Sequence, residues 1–229
     1  MKSGATEEVW VVIPAYFEAS AIGTIVRDIL EMGYSIVVVD DGSTDTTAEL
    51  ALDAGAQVVI HPINLGQGAA LQSGIEFALR RNAQYIVTFD ADGQHQVADI
   101  DAMLAPLVEG QADFALGSRF LGSVIGAPKS RLLLLRIATA FTRQISGLEL
   151  TDVHNGLRAM TRRGAQKISL RQNRMAHASE ILNQIAASGL PYVEVPVTIH
   201  YSAYSLSKGQ KMTNSINILL DLFARALRR

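Results

Sequence analysis

The chain has no cysteine among its 229 residues. That absence excludes disulfides, thiolate-held zinc and thiol nucleophiles together, and it fits a reducing compartment. A charge imbalance is missing as well: 20 lysines and arginines stand against 22 aspartates and glutamates, for a formal net charge of -2. A dedicated nucleic-acid binder carries a basic footprint, so no nucleic-acid partner is expected. No uninterrupted apolar run approaches the roughly 20 residues that a membrane-spanning helix needs. The opening residues, Met-Lys-Ser-Gly-Ala-Thr-Glu-Glu, carry acids and no apolar core, and do not read as a signal peptide. The expectation is a cytoplasmic protein, in solution or resting on the inner face of the cell membrane. Internal repeats and low-complexity segments are also lacking.

What is present is a chain that can bury a substantial core, patterned as alternating strands and helices. Val9 to Ile13, Ser35 to Val39, Ala56 to Ile60, Tyr85 to Phe89 and Ala112 to Leu116 are short apolar runs of the buried-strand type. Between them lie helical stretches: Ala21 to Met32, one capped by Thr44 or Asp45 and ending near Ala54, one from about Leu65 to Arg80, and one ending near Glu109. This alternation predicts an α/β fold with a mostly parallel central sheet and flanking helices, whose ligands bind beyond the carboxyl ends of the strands.

Four polar clusters fall at those ends: Pro14 to Glu18, Asp40 to Asp45, Asp90 to Asp92 and Gly117 to Arg119. Asp90 and Asp92 are the most informative. Residues two apart on an extended strand point the same way, so both carboxylates can reach one point where the strand frays. Such hard oxygen ligands suit Mg²⁺ or Mn²⁺, which commonly shares its shell between a carboxylate or two and substrate phosphates. Taken alone, Asp and Gly also simply end strands. Gly66 and Gly68 do not complete a dinucleotide fingerprint, because position 71 is leucine and the pair follows the third strand rather than the first. They read as allowing close backbone approach near a helix N-terminus, where a phosphate or sugar hydroxyl can sit.

Together, Ile13-Pro14-Ala15-Tyr16-Phe17-Glu18, Val39-Asp40-Asp41-Gly42-Ser43-x-Asp45, Asn64-x-Gly66-x-Gly68, Asp90-Ala91-Asp92-x-Gln94-His95, Gly117-Ser118-Arg119 and Thr151-Asp152-x-x-Asn155-Gly156-Leu157-Arg158-Ala159 resemble the motifs of family 2 glycosyltransferases with the GT-A fold. Within that family the chain is similar to the dolichyl-phosphate mannose synthase-like polyprenyl-phosphate enzymes, from about Val9 to Lys208. The resemblance implies that Pro14, Tyr16 and Glu18 line the nucleotide, and that Asp41, with the Val39 backbone nearby, accepts from a base N–H. Asp90, Ala91 and Asp92 would meet the donor, with Asp90, Asp92 and Gln94 holding a Mg²⁺ or Mn²⁺ that neutralises the leaving diphosphate. Arg119 would meet phosphate oxygens. Phe17 departs from the family, which usually has asparagine there.

On the acceptor side, Arg131 aligns with an arginine that binds acceptor phosphate in the resembled family. Lys208 matches the lysine of its closing loop, whose arginine is replaced here by Ser202. Asp152 is the candidate base or acceptor-orienting group, beside His154, with Glu180 as a further acid. The helix from Arg131 to about Ser146 and the amphipathic stretch Asn214 to Arg229 can each pack internally or rest on lipid, and the latter can also join a partner helix. Tyr192 to His200 reads as a strand broken at Pro196.

The resulting expectation is one domain over 1–229, with a nucleotide-sugar half (about 9–119), an acceptor half (about 120–210) and a C-terminal helix (211–229). It would be an inverting, metal-dependent hexosyltransferase moving a sugar from a UDP- or GDP-sugar to a polyprenyl phosphate. A glycan or other hydroxyl acceptor, and a non-catalytic nucleotide-binding partner subunit, are the alternatives. An oligomer or an integral-membrane partner is compatible with either.

Overall fold

A computed structural model describes residues 8–173 and 176–202. The expected closing-loop residue Lys208 and the amphipathic stretch 214–229 lie outside the described residues. The chain runs β1 (Val9–Ala15), α1 (Ile22–Glu31), β2 (Ser35–Asp40), α2 (Thr47–Asp53), β3 (Gln57–Ile60), α3 (Gln67–Arg80) and β4 (Tyr85–Thr88). It continues through α4 (Asp99–Val108), β5 (Phe114–Ile125), α5 (Lys129–Ser146), β6 (Arg158–Thr161), α6 (Arg162–Ala165), α7 (His177–Ser188) and β7 (Tyr192–His200). The strands form one sheet in the order β3-β2-β1-β4-β6-β5-β7. All run parallel except β6, which is antiparallel to β4 and β5 on either side of it.

The strand runs bury both faces. Val9, Val11 and Ile13 face a layer built by α1 and α4, through Ile22, Val26, Ile29, Ile100, Met103 and Leu104. Trp10 and Val12 face the opposite layer, where α3 and α7 supply Leu71, Ile75, Ile181 and Ile185. The near-continuous apolar strands are what a parallel sheet covered on both sides requires. After β1 the chain steps outward to β2 and β3, then returns to lay β4 on the other side of β1. The crevice between β1 and β4 is therefore the switch point of the sheet, where ligands of open α/β sheets bind. Pro14 marks it. Ala15 accepts from Asp41 N on the β2 side, so the neighbouring Pro14 nitrogen points toward β4, whose pairing with β1 ends at Val12 and Thr88. The missing N–H breaks no ladder there.

Several expectations need correction. β6 has no isolated apolar signal: Arg158-Ala-Met-Thr is a strand because it fills the gap between β4 and β5. β5 continues well past Leu116 to Ile125. Pro196 does not break β7, since it pairs opposite Ser118 immediately before β5 bulges. The helix after β4 starts only at Asp99, because the residues between serve the cleft. α2 starts at Thr47, whose N–H donates to Asp45 Oδ1 at 3.1 Å, so Asp45 supplies the cap.

Ile75 on α3 is fully buried against the sheet, remote from the polar strand ends. Ile75→Ala is expected to cost about 2–5 kcal/mol of stability in urea denaturation, the range for a truncated core aliphatic.

Candidate active site

The cleft is built by the loops leaving the carboxyl ends of β1, β2, β3 and β4, together with residues 117–119 inside β5 and the stretch before β6. The first two are tied together. Phe17 N donates to Ser43 Oγ at 3.0 Å, and Ser43 Oγ in turn donates to Asp40, while Glu18 N donates to Thr47 Oγ1 at 2.9 Å. Phe17 sits at φ 56°, a left-handed conformation that asparagine tolerates and a bulky side chain does not favour. Its ring meets that of Tyr16 edge-on at 4.5 Å, and both are exposed on the rim. Glu18 is buried and its carbonyl accepts from Ala21 N and Ile22 N, starting α1. Val39 is wholly buried in β2 opposite Pro14, so only its backbone can serve a ligand.

Asp41 does not stand open to the cleft. Its Oδ1 receives His61 Nδ1 at 2.7 Å and Leu65 N at 3.0 Å, and its Oδ2 receives Gly66 N at 2.7 Å. Three of its roughly four acceptor positions are thereby used in holding the loop after β3, leaving one on Oδ2 for a base N–H. His61, which sequence reasoning missed, carried one legible signal: it directly follows a strand at the same sheet edge. The glycines of that loop also serve the protein itself. A Cβ on Gly68 would lie 2.1 Å from the carbonyl oxygen of Gln172, and Gly68 N already donates to Asn173 O at 2.8 Å. The expected phosphate or sugar approach at Gly68 is thus replaced by the chain's own 171–173 segment. Glu180 on α7 fixes that segment by accepting from Arg171 N and Gln172 N.

Asp90 and Asp92 are half-buried at the end of β4, with Ala91 buried between them. Gln67 Nε2 donates to Asp90 Oδ1 at 3.0 Å, and His95 Nε2 lies 3.2 Å from Asp90 Oδ2. Across the cleft the backbone at Gly156 comes so close that a Cβ there would lie 2.0 Å from Asp90 Oδ2. Only glycine permits that approach. Burial works to raise the Asp90 pKa, but the His95 hydrogen bond and nearby positive groups outweigh it and hold Asp90 below the ordinary carboxylate range. Asp92 is pushed up to about 6, first by burial and then by the Asp90 charge, with Glu18 adding to it.

Among the described residues no group of three acidic, histidine or cysteine side chains makes a complete metal cage. The donor set fits a cation of another kind. Two crowded carboxylates, each with lone pairs to spare, together with Gln94, suit a Mg²⁺ or Mn²⁺ that completes its shell on ligand phosphates. Two buried polar atoms nearby, His95 Nδ1 and Asn155 Nδ2, have no partner among the described residues, which also suits a polar ligand.

Arg119 and Asp152 are brought together, but face inward. Arg119 Nε and N both donate to Asp152 Oδ2, at 2.6 and 3.1 Å, while Nη1 donates to the Tyr201 hydroxyl at 2.6 Å and Nη2 to His154 O at 3.0 Å. Both partners are buried, and Asp152 N is itself held by Glu194 at 3.1 Å. Three of the five N–H groups of the Arg119 guanidinium are thus engaged within the protein, which leaves two on its terminal nitrogens. Asp152 holds Arg119 through Oδ2, while its Oδ1 accepts from His154 N at 3.2 Å. His154 lends its carbonyl to this network and its side chain is exposed. Arg131, at the start of α5, stacks its guanidinium 5.0 Å above the Tyr201 ring. Neither Tyr201 nor Glu194 announced itself in the sequence, since each acquires its role from a partner at least 42 residues away.

Paired carboxylates at the switch point of a mostly parallel sheet, ringed by the loops after β1, β2 and β3, define a class. The fold is shared with glucosyl-3-phosphoglycerate synthase of Mycobacterium tuberculosis, solved with Mg²⁺ and UDP, at a TM-score of 0.71 and 20% identity over 96% of this chain and 80% of that one. It is the GT-A glycosyltransferase fold. The sequence then gives the family: the glycosyl transferase family 2 model matches residues 10–169, and the chain belongs to that family. It is 33% identical to the polyprenol monophosphomannose synthase of Mycolicibacterium smegmatis, over 89% of this chain and 81% of that one. It is 28% identical to the UDP-N-acetylglucosamine–dolichyl-phosphate N-acetylglucosaminyltransferase of Methanococcus voltae, over 95% and 96% respectively.

Two predictions follow from the electrostatics. The folded state raises the Asp92 pKa from 3.8 to about 6, so the ionised carboxylate weakens the ligand-free fold. That weakening is absent below about pH 4 and complete above about pH 6. Asp92→Asn is expected to raise the melting temperature of the ligand-free protein at neutral pH but not near pH 4, and to abolish the thermal shift given by UDP or GDP with Mn²⁺. Arg119→Met leaves Asp152 buried without its counter-charge and is expected to cost about 3–5 kcal/mol in chemical denaturation.

Proposed function

We propose that this family 2 glycosyltransferase transfers a sugar, with inversion and with a bound divalent cation, from a UDP- or GDP-sugar to a polyprenyl phosphate at the cytoplasmic face of the membrane. The observation that carries this reading is the pair Asp90 and Asp92, half-buried in the β1–β4 crevice with Gly156 pressed against Asp90. The Tyr16–Phe17 rim, Glu18 and Asp41 line the donor side. Asp90, Asp92 and Gln94 would hold the cation, which when bound offsets charge on the departing diphosphate.

The chemistry is a single displacement. A phosphate oxygen of the acceptor forms a bond to the anomeric carbon from the face opposite the donor. The bond from that carbon to the donor phosphate oxygen breaks, and its electron pair leaves with the nucleoside diphosphate. An acceptor phosphate, with a second pKa of about 6, needs little deprotonation. This agrees with an Asp152 committed to Arg119: the chain supplies position and charge rather than a base.

Support for a lipid acceptor comes from α5. Leu133 and Ile137 are 61% and 54% exposed, beside Arg131 and Arg136, and Leu121 and Ile125 of β5 are also exposed. Exposed aliphatics ringed by arginine suit a headgroup layer with anionic lipid. No helix among the described residues is long and apolar enough to cross a membrane. The relatives named above, one a polyprenol monophosphomannose synthase and the other a dolichyl-phosphate transferase, point the same way. The single seven-stranded sheet shared by donor and acceptor sides supports reading the chain as one working domain.

The test offers radiolabelled UDP- and GDP-sugars with Mn²⁺ and short-chain polyprenyl phosphate, followed by lipid extraction. Labelled lipid is expected; label appearing only in a soluble hydroxyl acceptor would overturn the lipid assignment. Arg131→Ala is expected to raise the KM for polyprenyl phosphate about ten-fold, as loss of a charge-assisted contact would, and to leave donor affinity nearly intact.

A further inference from the structure

Two arginines are buried among the described residues, Arg119 and Arg158, and they are treated in opposite ways. Arg119 gives three of its five guanidinium N–H groups to Asp152, Tyr201 and His154. Arg158 is 5% exposed, yet among the described residues its guanidinium has no hydrogen bond and no ion pair. It sits in the field of Asp90 on the donor side and of Asp152 on the acceptor side without pairing with either. Burial outweighs the pull of both carboxylates and lowers its pKa, so the charge is only partly compensated. An unpaired buried charge is costly, and structures keep one where a task requires it.

The placement is rigid. Arg158 opens β6 directly opposite Thr88, two residues before Asp90, and β6 is hydrogen-bonded on both edges. Thr88 Oγ1 donates to Gly156 O at 2.7 Å, pinning the approach that brings Gly156 onto Asp90.

We propose that Arg158 is the phosphate-binding cation of this site, taking a phosphate oxygen where the donor diphosphate and the acceptor meet. This rests on the transferase reading and names the residue that meets the charge it generates. When the bond from the anomeric carbon to the donor phosphate oxygen breaks, the electron pair adds negative charge to that phosphate. A guanidinium already desolvated and fixed on a central strand stabilises such charge without reorganising. The same cation can instead hold the acceptor phosphate, and the two sources are separable by experiment.

The experiment compares Arg158→Met and Arg158→Lys with the parent, in three measurements. The first is the melting temperature of the ligand-free protein. The second is affinity for inorganic pyrophosphate without metal, and for UDP and GDP with Mn²⁺, by calorimetry. The third is the KM for polyprenyl phosphate. Replacing an unpaired buried charge by a similar-sized apolar side chain is expected to leave the ligand-free melting temperature equal or higher. Affinity for a phosphate ligand should nevertheless fall about ten- to a hundred-fold, as loss of a charged hydrogen bond does, with partial recovery in the lysine variant. A fall in pyrophosphate and nucleotide affinity identifies the donor diphosphate; a rise confined to the KM for polyprenyl phosphate identifies the acceptor. Unchanged pyrophosphate, nucleotide and acceptor affinities in Arg158→Met would overturn the proposal. A parent protein that transfers sugar from no nucleotide donor would sink the transferase reading alone, because the pyrophosphate measurement judges Arg158 without turnover.

Discussion

The buried pair of Arg119 and Asp152 is the contact on which the β5–β7 side of this molecule depends. It draws together three segments that are distant in sequence: the end of the paired part of β5, the 148–157 stretch, and the end of β7 through Tyr201. A buried ion pair is poor as a source of net stability and demanding in geometry, since each lone pair and each N–H must find a partner. Here Glu194 holds the backbone at Thr151 and Asp152, and the His154 carbonyl and Tyr201 hydroxyl each accept from the guanidinium. The turn that follows Asp152 carries Gly156 against Asp90, where Thr88 Oγ1 donates to the Gly156 carbonyl.

The cleft then has an uneven electrostatic character. Asp90, Asp92 and Glu18 gather negative charge at the mouth of β1 and β4, and burial, joined by that charge, pushes Asp92 up to about 6. Such crowding is unfavourable in the ligand-free state and becomes favourable around a divalent cation. Behind it lies Arg158, a cation without a protein partner among the described residues. Carboxylates crowded on one side and a cation without a hydrogen-bond partner on the other suit a ligand carrying the complementary pattern. A metal-bound phosphate is such a ligand, anionic toward the arginine and cationic toward the carboxylates.

The neighbourhood of Tyr201 joins this interior to the surface. Its hydroxyl completes Arg119 inside, while its ring carries the Arg131 guanidinium outside, at the start of a helix whose aliphatic side chains remain exposed. Stacking on an aromatic face limits the rotamers of a long side chain while leaving its N–H groups available in the ring plane direction and beyond. This side of the molecule thus combines one oriented cation with an apolar surface.

What the sequence determined by itself was whatever depends on short range. Apolar runs of strand length alternating with helical periods specify a doubly covered parallel sheet, and the polar residues ending Val9–Ala15, Ser35–Asp40 and Tyr85–Thr88 had to meet at one edge. Asp90 and Asp92 were legible because their two-residue spacing is local geometry. Tertiary structure alone decided the rest. β6 exists because two strands left a gap, Gly68 faces the chain's own Gln172 rather than a ligand, and Asp41 holds a loop as much as it can hold a base. Most of all, Arg119 and Arg158 are chemically identical in sequence. One is paired and the other is not, because pairing is a matter of distance to carboxylates on other strands, and distance across a sheet is set by packing rather than by any local pattern.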